Sequence, residues 1–156
     1  MNFITELGNS LYSTFVLDNR WQWFLSGLGY TLLISFFAVL VGLVIGVVMA
    51  FGRLSKNKLF RGISGLYIDI IRGTPTMVQL LIIYFIIFAN VNIDRWMVGV
   101  IAFGINSGAY IAEIVRGGIL SIDQGQTEAG RSLGLTQRQT MTYIIICLLY
   151  TSPSPR

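Results

Sequence analysis

The chain has no histidine and a single cysteine, Cys147, in 156 residues. Disulfide scaffolds, zinc clusters and imidazole-based acid/base or triad chemistry therefore have no raw material, and neither a catalytic nor a metal site is expected. Charge is scarce as well: Asp, Glu, Lys and Arg make up 12% of the chain, roughly half their share in an ordinary soluble domain. Proline occurs three times, at Pro75, Pro153 and Pro155. No internal repeat is visible.

Hydrophobic residues fill the space, at 54% of the chain with a mean hydropathy of +0.69. That composition belongs to a membrane protein. From Trp21 to Gly52 there is no acid or base, and about 20 residues rising ~1.5 Å each suffice to cross a hydrocarbon core. A signal peptide would carry a shorter apolar run, about 7 to 15 residues. The net charge of +4 does not call for a nucleic-acid partner, because the basic residues gather in short connectors, as positive-inside topology requires.

Spans are expected at about 22–52, 60–89 and 96–116, with the start of a fourth at 138–149. Trp21, Trp23 and Tyr30 suit the headgroup layer at the start of the first span. Arg53, Lys56, Lys58 and Arg61 lie in the first connector, and Arg116, Arg131 and Arg138 in the third, against Arg20 and Arg95 on the other side. This asymmetry places 53–61 and 117–137 in the cytoplasm and the N-terminal segment 1–20 outside.

Within the first span Ala38, Gly42, Gly46 and Ala50 recur every four residues, and Gly104, Gly108 and Ala112 repeat the device in the third. Such stripes let helices approach closely and favour a bundle over lone anchors. The third span also carries Asn106, Tyr110 and Glu113 on one face. A carboxylate within a span faces a cavity or a partner. Arg116 is one candidate partner, so both an interfacial Glu/Arg pair and contact with a substrate are open readings.

The second span is interrupted at "IRGTPT", residues 71–76. Pro75 lacks an N–H and disfavours helix at Thr74, so the helix arriving through Ile71 and Arg72 should break or kink there. Thr74 and Pro75 then suit the N-cap and first position of a new helical piece. Asp69 and Arg72, three apart, are candidates for a pair. An ordinary proline kink and a break lining a water-filled transport cavity both fit the pattern.

Between the third and fourth spans, Ser121 with Gln124 and Thr136 with Gln139 match the S/T-x-x-E/Q capping pattern, and Gly134 is placed to end a short helix. Ala129 and Gly130 offer a small face, edged by Glu128 and Arg131, suited to a groove on another protein.

Four stretches together carry a family resemblance: "GLGYTLLISFFAVLVGLVIGVVMAFGRLS" (27–55), "YIDIIRGTPTMVQLLIIYF" (67–85), "NSGAYIAEIVRGGI" (106–119) and "GQTEAGRSLGLT" (125–136). The sequence resembles the permease subunits of bacterial ATP-binding-cassette importers, in the branch that carries polar amino acids such as histidine, arginine and glutamine. The resemblance implies an all-α membrane protein, a multi-span helical bundle of the ABC importer permease type, in the bacterial inner membrane. It also implies that Glu128, Ala129, Gly130 and Gly134 form a coupling helix, of the EAA type, that docks on a cytoplasmic ABC ATPase subunit. A second permease subunit, an extracytoplasmic amino-acid-binding protein and membrane lipid are the other implied partners. ATP would be used by the ATPase, with no cofactor bound by this chain.

Two departures stand out. The family usually has glutamate where this chain has Asp69. The loop should also lead into a further complete span, whereas "YIIICLLYTSPSPR" ends the sequence, so the chain is expected to be a C-terminally incomplete permease domain over 21–146 with a non-native tail over 147–156. For the substrate path Arg72, Tyr84, Asn106, Tyr110 and Glu113 are the candidates, since an amino acid needs partners for an ammonium and a carboxylate. Gly73, Thr74 and Pro75 mark the helix break. The rival expectation is a non-transporting membrane anchor whose cytoplasmic helix recruits a soluble partner.

Overall fold

The structure, a computed structural model, describes residues 19–151 together with Glu6, Gly8, Ser10, Tyr12 and Thr14. Most of the expected 1–20 segment and residues 152–156 of the expected tail thus lie outside the described residues. Helix α1 spans Trp21–Leu54, α2 Lys58–Gly73 and α3 Thr76–Ile82, which runs on through a π-helical turn, Ile83–Ile87. Helix α4 covers Arg95–Leu120 and α5 Gln124–Ser132. The short α6, Gln137–Gln139, leads through a second π-helical stretch, Thr140–Ile145, into α7, Ile146–Thr151. No strand occurs among the described residues.

Helix α1 has 34 residues, about 50 Å of rise, and turns most of its large side chains outward, with Phe36 62% and Val44 66% exposed. A soluble helix could not afford that apolar surface; a lipid-facing one requires it. Helices α1 and α4 are each long and apolar enough to cross a membrane.

The residues α1 buries are Ala38, Gly42, Gly46 and Ala50, the stripe legible in the sequence. They meet the corresponding stripe of α4 almost backbone to backbone. A Cβ added at Gly42 would lie 2.9 Å from Ser107 Cβ, and one at Gly46 would lie 2.9 Å from the Gly108 carbonyl oxygen. Ile34 sits beside Gly99, Ile45 beside Gly108, and Ala50 with Ala112. Residue numbers rise together along both helices, so α1 and α4 run parallel. The connector between them must therefore travel back along the whole pair.

Helices α2 and α3 make that return. Asn57 caps α2 by accepting from the Leu59 N–H at 2.9 Å. Ile68 packs with Ala50 and Ala112, and the Tyr67 hydroxyl donates to the Ile105 carbonyl at 2.6 Å. Beyond the break, Ile83 joins Val98 and Ala102 in a second core cluster nearer the start of α4. The segment expected as a span over 60–89 interrupted at 71–76 consists of two pieces bent by 108°. It counts as a third span only if both pieces belong to one crossing.

The caps differ in part from expectation. Ser121 closes α4, its hydroxyl donating to the Gly118 carbonyl at 2.7 Å, so it is not available to open the next helix. Asp123 opens α5 by accepting from the Gly125 N–H. At the other end Gly134 has φ +83°, and its N–H donates to the Arg131 carbonyl while Leu135 N–H reaches Gly130. Those two bonds make a Schellman stop, for which glycine is the favoured residue. Thr136 and Gln139 form a reciprocal capping box, as the sequence pattern requires. Helix α7 continues over Cys147 to Thr151, whose hydroxyl donates to the Cys147 carbonyl at 3.1 Å.

Candidate substrate path and coupling surface

The break follows from what Pro75 takes away. Without its N–H, the helical bond to the Ile71 carbonyl cannot form. Thr74 turns extended, at φ −116° and ψ 143°, as a residue before proline must. Its hydroxyl folds back to donate to the Ile70 carbonyl at 3.0 Å and so does not open the next helix. The N-cap of α3 is Pro75 itself, whose carbonyl accepts from Val78 and Gln79. Thr74 and Pro75 thus sit one position earlier relative to the new helix than the sequence suggests.

Gln79 supplies the missing donor. Its Nε2 lies 2.6 Å from the Ile71 carbonyl, 3.0 Å from the Thr74 carbonyl and 2.5 Å from Thr74 Oγ1. The residue is 8% exposed, and an orphaned carbonyl at that depth costs about 1–3 kcal/mol. On the other side, Gln79 Oε1 accepts from Asn106 Nδ2 at 3.1 Å. The break is thereby tied to the middle of α4.

One helical turn further along α4, Tyr110 carries the Arg72 guanidinium over its ring, 5.5 Å from the centroid. Arg72 also reaches Glu113 Oε2 at 3.8 Å. Glu113 is held more firmly by Arg116, which binds both carboxylate oxygens, one of them through Nε at 3.0 Å. Arg72 therefore pairs across to α4 rather than with Asp69. Asp69 is taken by Arg53 at the end of α1, at 3.1 Å, which also donates to the Gly65 carbonyl at 3.2 Å. The shorter aspartate still carries its charge to a partner on another helix.

Four of the five substrate-path candidates, Arg72, Asn106, Tyr110 and Glu113, are thus brought together beside the break. Tyr84 is not among them. It packs against the Ile83–Val98–Ala102 cluster, edge-on to Phe85 at 4.8 Å between ring centroids. Gln79 belongs to the site but is not singled out in the sequence. The signal was the Ile71 carbonyl that Pro75 leaves without a donor.

The second functional element is α5. Glu128 and Ala129 are exposed, but Gly130 is buried, and a Cβ there would lie 2.8 Å from Ile144 and 2.9 Å from Thr140. The expected small docking face is therefore split: Gly130 seats the helix on its own chain, and Glu128 and Ala129 remain outward. Leu133, at the end of the helix, is 81% exposed.

With this geometry in place, comparison with known proteins is decisive. Residues 42–150 match the family described as binding-protein-dependent transport system inner membrane component. The chain belongs to that family. It is 36% identical over 141 residues to the L-cystine transport system permease protein TcyB of Bacillus subtilis (strain 168), covering 90% of this chain and 60% of that one. Against the glutamine transport system permease protein GlnP of Escherichia coli (strain K12) it is 42% identical over 127 residues, covering 80% and 58%. A solved structure, that of an amino acid ABC transporter with histidines, superposes with a TM-score of 0.74 at 38% identity. That match covers 96% of this chain and 65% of the solved one. The chain thus spans about 60% of the length of these permeases, and the all-α permease fold is shared with the solved transporter.

Proposed function

We propose that this chain forms part of the transmembrane path of an ATP-driven importer for a polar amino acid, coupled to a cytoplasmic ATPase through α5. The observation that carries the reading is the cluster of Arg72, Asn106, Tyr110 and Glu113 beside a broken helix, running from the middle of α4 towards its C-terminal end. A helix that only anchors has no use for polar side chains gathered along one face beside a broken backbone, whereas transport sites are built from both. The L-cystine and glutamine permeases among its relatives support an amino acid as the cargo.

The orientation we propose puts the C-terminal ends of α1 and α4 in the bacterial cytoplasm, at the inner membrane. Arg53, Lys58, Arg61 and Arg116 line one groove there, and Lys56 and Arg138 another, as the positive-inside rule favours. Tyr30, Arg95 and Trp96 lie together at the opposite end. On this reading α5 presents Glu128, Ala129 and Leu133 to an ABC ATPase. ATP binding moves α5, and the helices rock around the central cluster. A second permease subunit and an extracytoplasmic binding protein complete the assembly. ATP is consumed by the partner subunit and this chain holds no cofactor.

Leu133→Asp in the assembled importer tests the coupling. Substrate-stimulated ATP hydrolysis should fall about tenfold or more, the loss of one buried anchor, with the complex still assembled. Undiminished stimulation would favour the reading of a membrane anchor that merely recruits its partner.

A further inference from the structure

The hydrogen bonds at the break run in one direction, and that direction has a consequence for Asn106. Gln79 faces three oxygens at once, the carbonyls of Ile71 and Thr74 and the Thr74 hydroxyl. The Thr74 hydroxyl proton is already given to Ile70. Only the amide nitrogen of Gln79 can sit against three acceptors, since its carbonyl oxygen would meet them without a proton. Its Oε1 must therefore point the other way, towards Asn106. Facing an acceptor, Asn106 must turn its own nitrogen to Gln79, as it does at 3.1 Å. Its Oδ1 is thereby committed to the opposite side of the amide, on a helix face shared with Tyr110 and Glu113.

We infer that Gln79 is a positioning residue for transport: anchored on the carbonyls that Pro75 sets free, it fixes the Asn106 amide so that this residue offers an acceptor to an ammonium group in the path. The inference rests on the proposed transport function and adds to it the polarity of one wall. Asn106 Oδ1, the Tyr110 ring and the Glu113 carboxylate all attract a cation; Arg72 lies over the ring and reaches one carboxylate oxygen at 3.8 Å, while Arg116 binds both oxygens. An arriving ammonium competes with Arg72 for the Tyr110 ring and for the Glu113 oxygen that Arg72 shares with Arg116, and the displaced Arg72 guanidinium is then available to the substrate carboxylate.

Asn106→Asp separates this role from simple packing. Asp supplies a stronger acceptor to an ammonium but has no N–H for Gln79 Oε1, so two oxygens confront each other across the break. The expected result in the complete importer is a KM for amino acid uptake raised about tenfold, the size of one lost buried hydrogen bond with its unsatisfied partner, at unchanged membrane level. Gln79→Met removes the opposing oxygen. The double variant Gln79→Met/Asn106→Asp should therefore recover a KM lower than that of Asn106→Asp alone. A purely structural Gln79 predicts the opposite, a double variant at least as impaired as either single one, and that result would overturn the inference. An independent readout is hydrogen exchange at the Asn106 side-chain amide in nanodiscs, slow in the parent and fast in Gln79→Met. Slow exchange together with no amino acid uptake by the parent importer would reject the transport reading and leave the amide chain standing. Equal exchange rates in parent and variant would reject the amide chain itself.

Discussion

Gly46→Ala is the smallest change that should part the two long helices. A methyl at that position would lie 2.6 Å from Ile111 Cγ2, 2.7 Å from Ile111 Cβ and 2.9 Å from the Gly108 carbonyl oxygen. Optimal carbon contacts are about 3.5–4.0 Å, so a separation of roughly 1 Å must be found. Ile111 is β-branched and stiff at χ1 in a helix, and Gly108 contributes backbone, so neither side yields cheaply. Opening the pair locally by that amount forfeits about a quarter to a half of the dispersion well of each contact along the stripe. The expected loss is about 1–3 kcal/mol, the range of overpacked cores. Gly27 and Gly29 lie on the same helix with nothing within 4 Å of an added Cβ. Alanine there should be neutral or stabilising by about 0.5–1 kcal/mol, through helix propensity alone. Reversible unfolding in mixed micelles measures all three variants. If Gly46→Ala unfolds at or above the parent denaturant midpoint, the close parallel packing of α1 on α4 is wrong.

Other perturbations follow from the same geometry. Gly134→Ala forces a side chain into φ +83° and should cost about 1–2 kcal/mol, visible as faster amide exchange at Gly134 and Leu135, whose N–H groups close α5. Arg53→Met and Asp69→Asn, singly and together, should change stability by less than about 1 kcal/mol, because Asp69 is 68% exposed and exposed pairs contribute little; a double-mutant cycle in unfolding checks this. Thr136→Ala removes one half of the capping box and should cost about 1 kcal/mol, read by the same unfolding assay.

Much of this arrangement is legible in the residues because small side chains and charges leave few options. Ala38, Gly42, Gly46 and Ala50 recur every four residues as a packing stripe does, and the structure buries all four. Pro75 announces a break, and Asn106, Tyr110 and Glu113 share a face by spacing alone. What spacing cannot supply is the partner on another helix. Asp69 and Arg72 are three apart and could pair, yet each finds a closer match across the bundle, in Arg53 and Glu113. Tyr84 looked equivalent to Tyr110 by residue type, but the bend of 108° carries it away from the polar cluster into an apolar one. Gly130 read as an outward docking surface because it adjoins Glu128 and Ala129; successive helical residues differ by about 100° in direction, and Thr140 and Ile144 claim its face. The role of Gln79 is not legible by spacing because it is defined by a carbonyl eight residues earlier in the chain.

Amino acid uptake by proteoliposomes containing the importer assembled around this chain tests the central claim most directly, with Asn106→Ala and Glu113→Gln compared with the parent. The claim predicts concentrative, ATP-dependent uptake of a polar amino acid by the parent and at least about a tenfold fall in kcat/KM for each variant, as expected for losing one buried or charge-assisted hydrogen bond to the substrate. Uptake by both variants equal to that of the parent would show that the amino acid does not pass along the face where the broken helix meets α4.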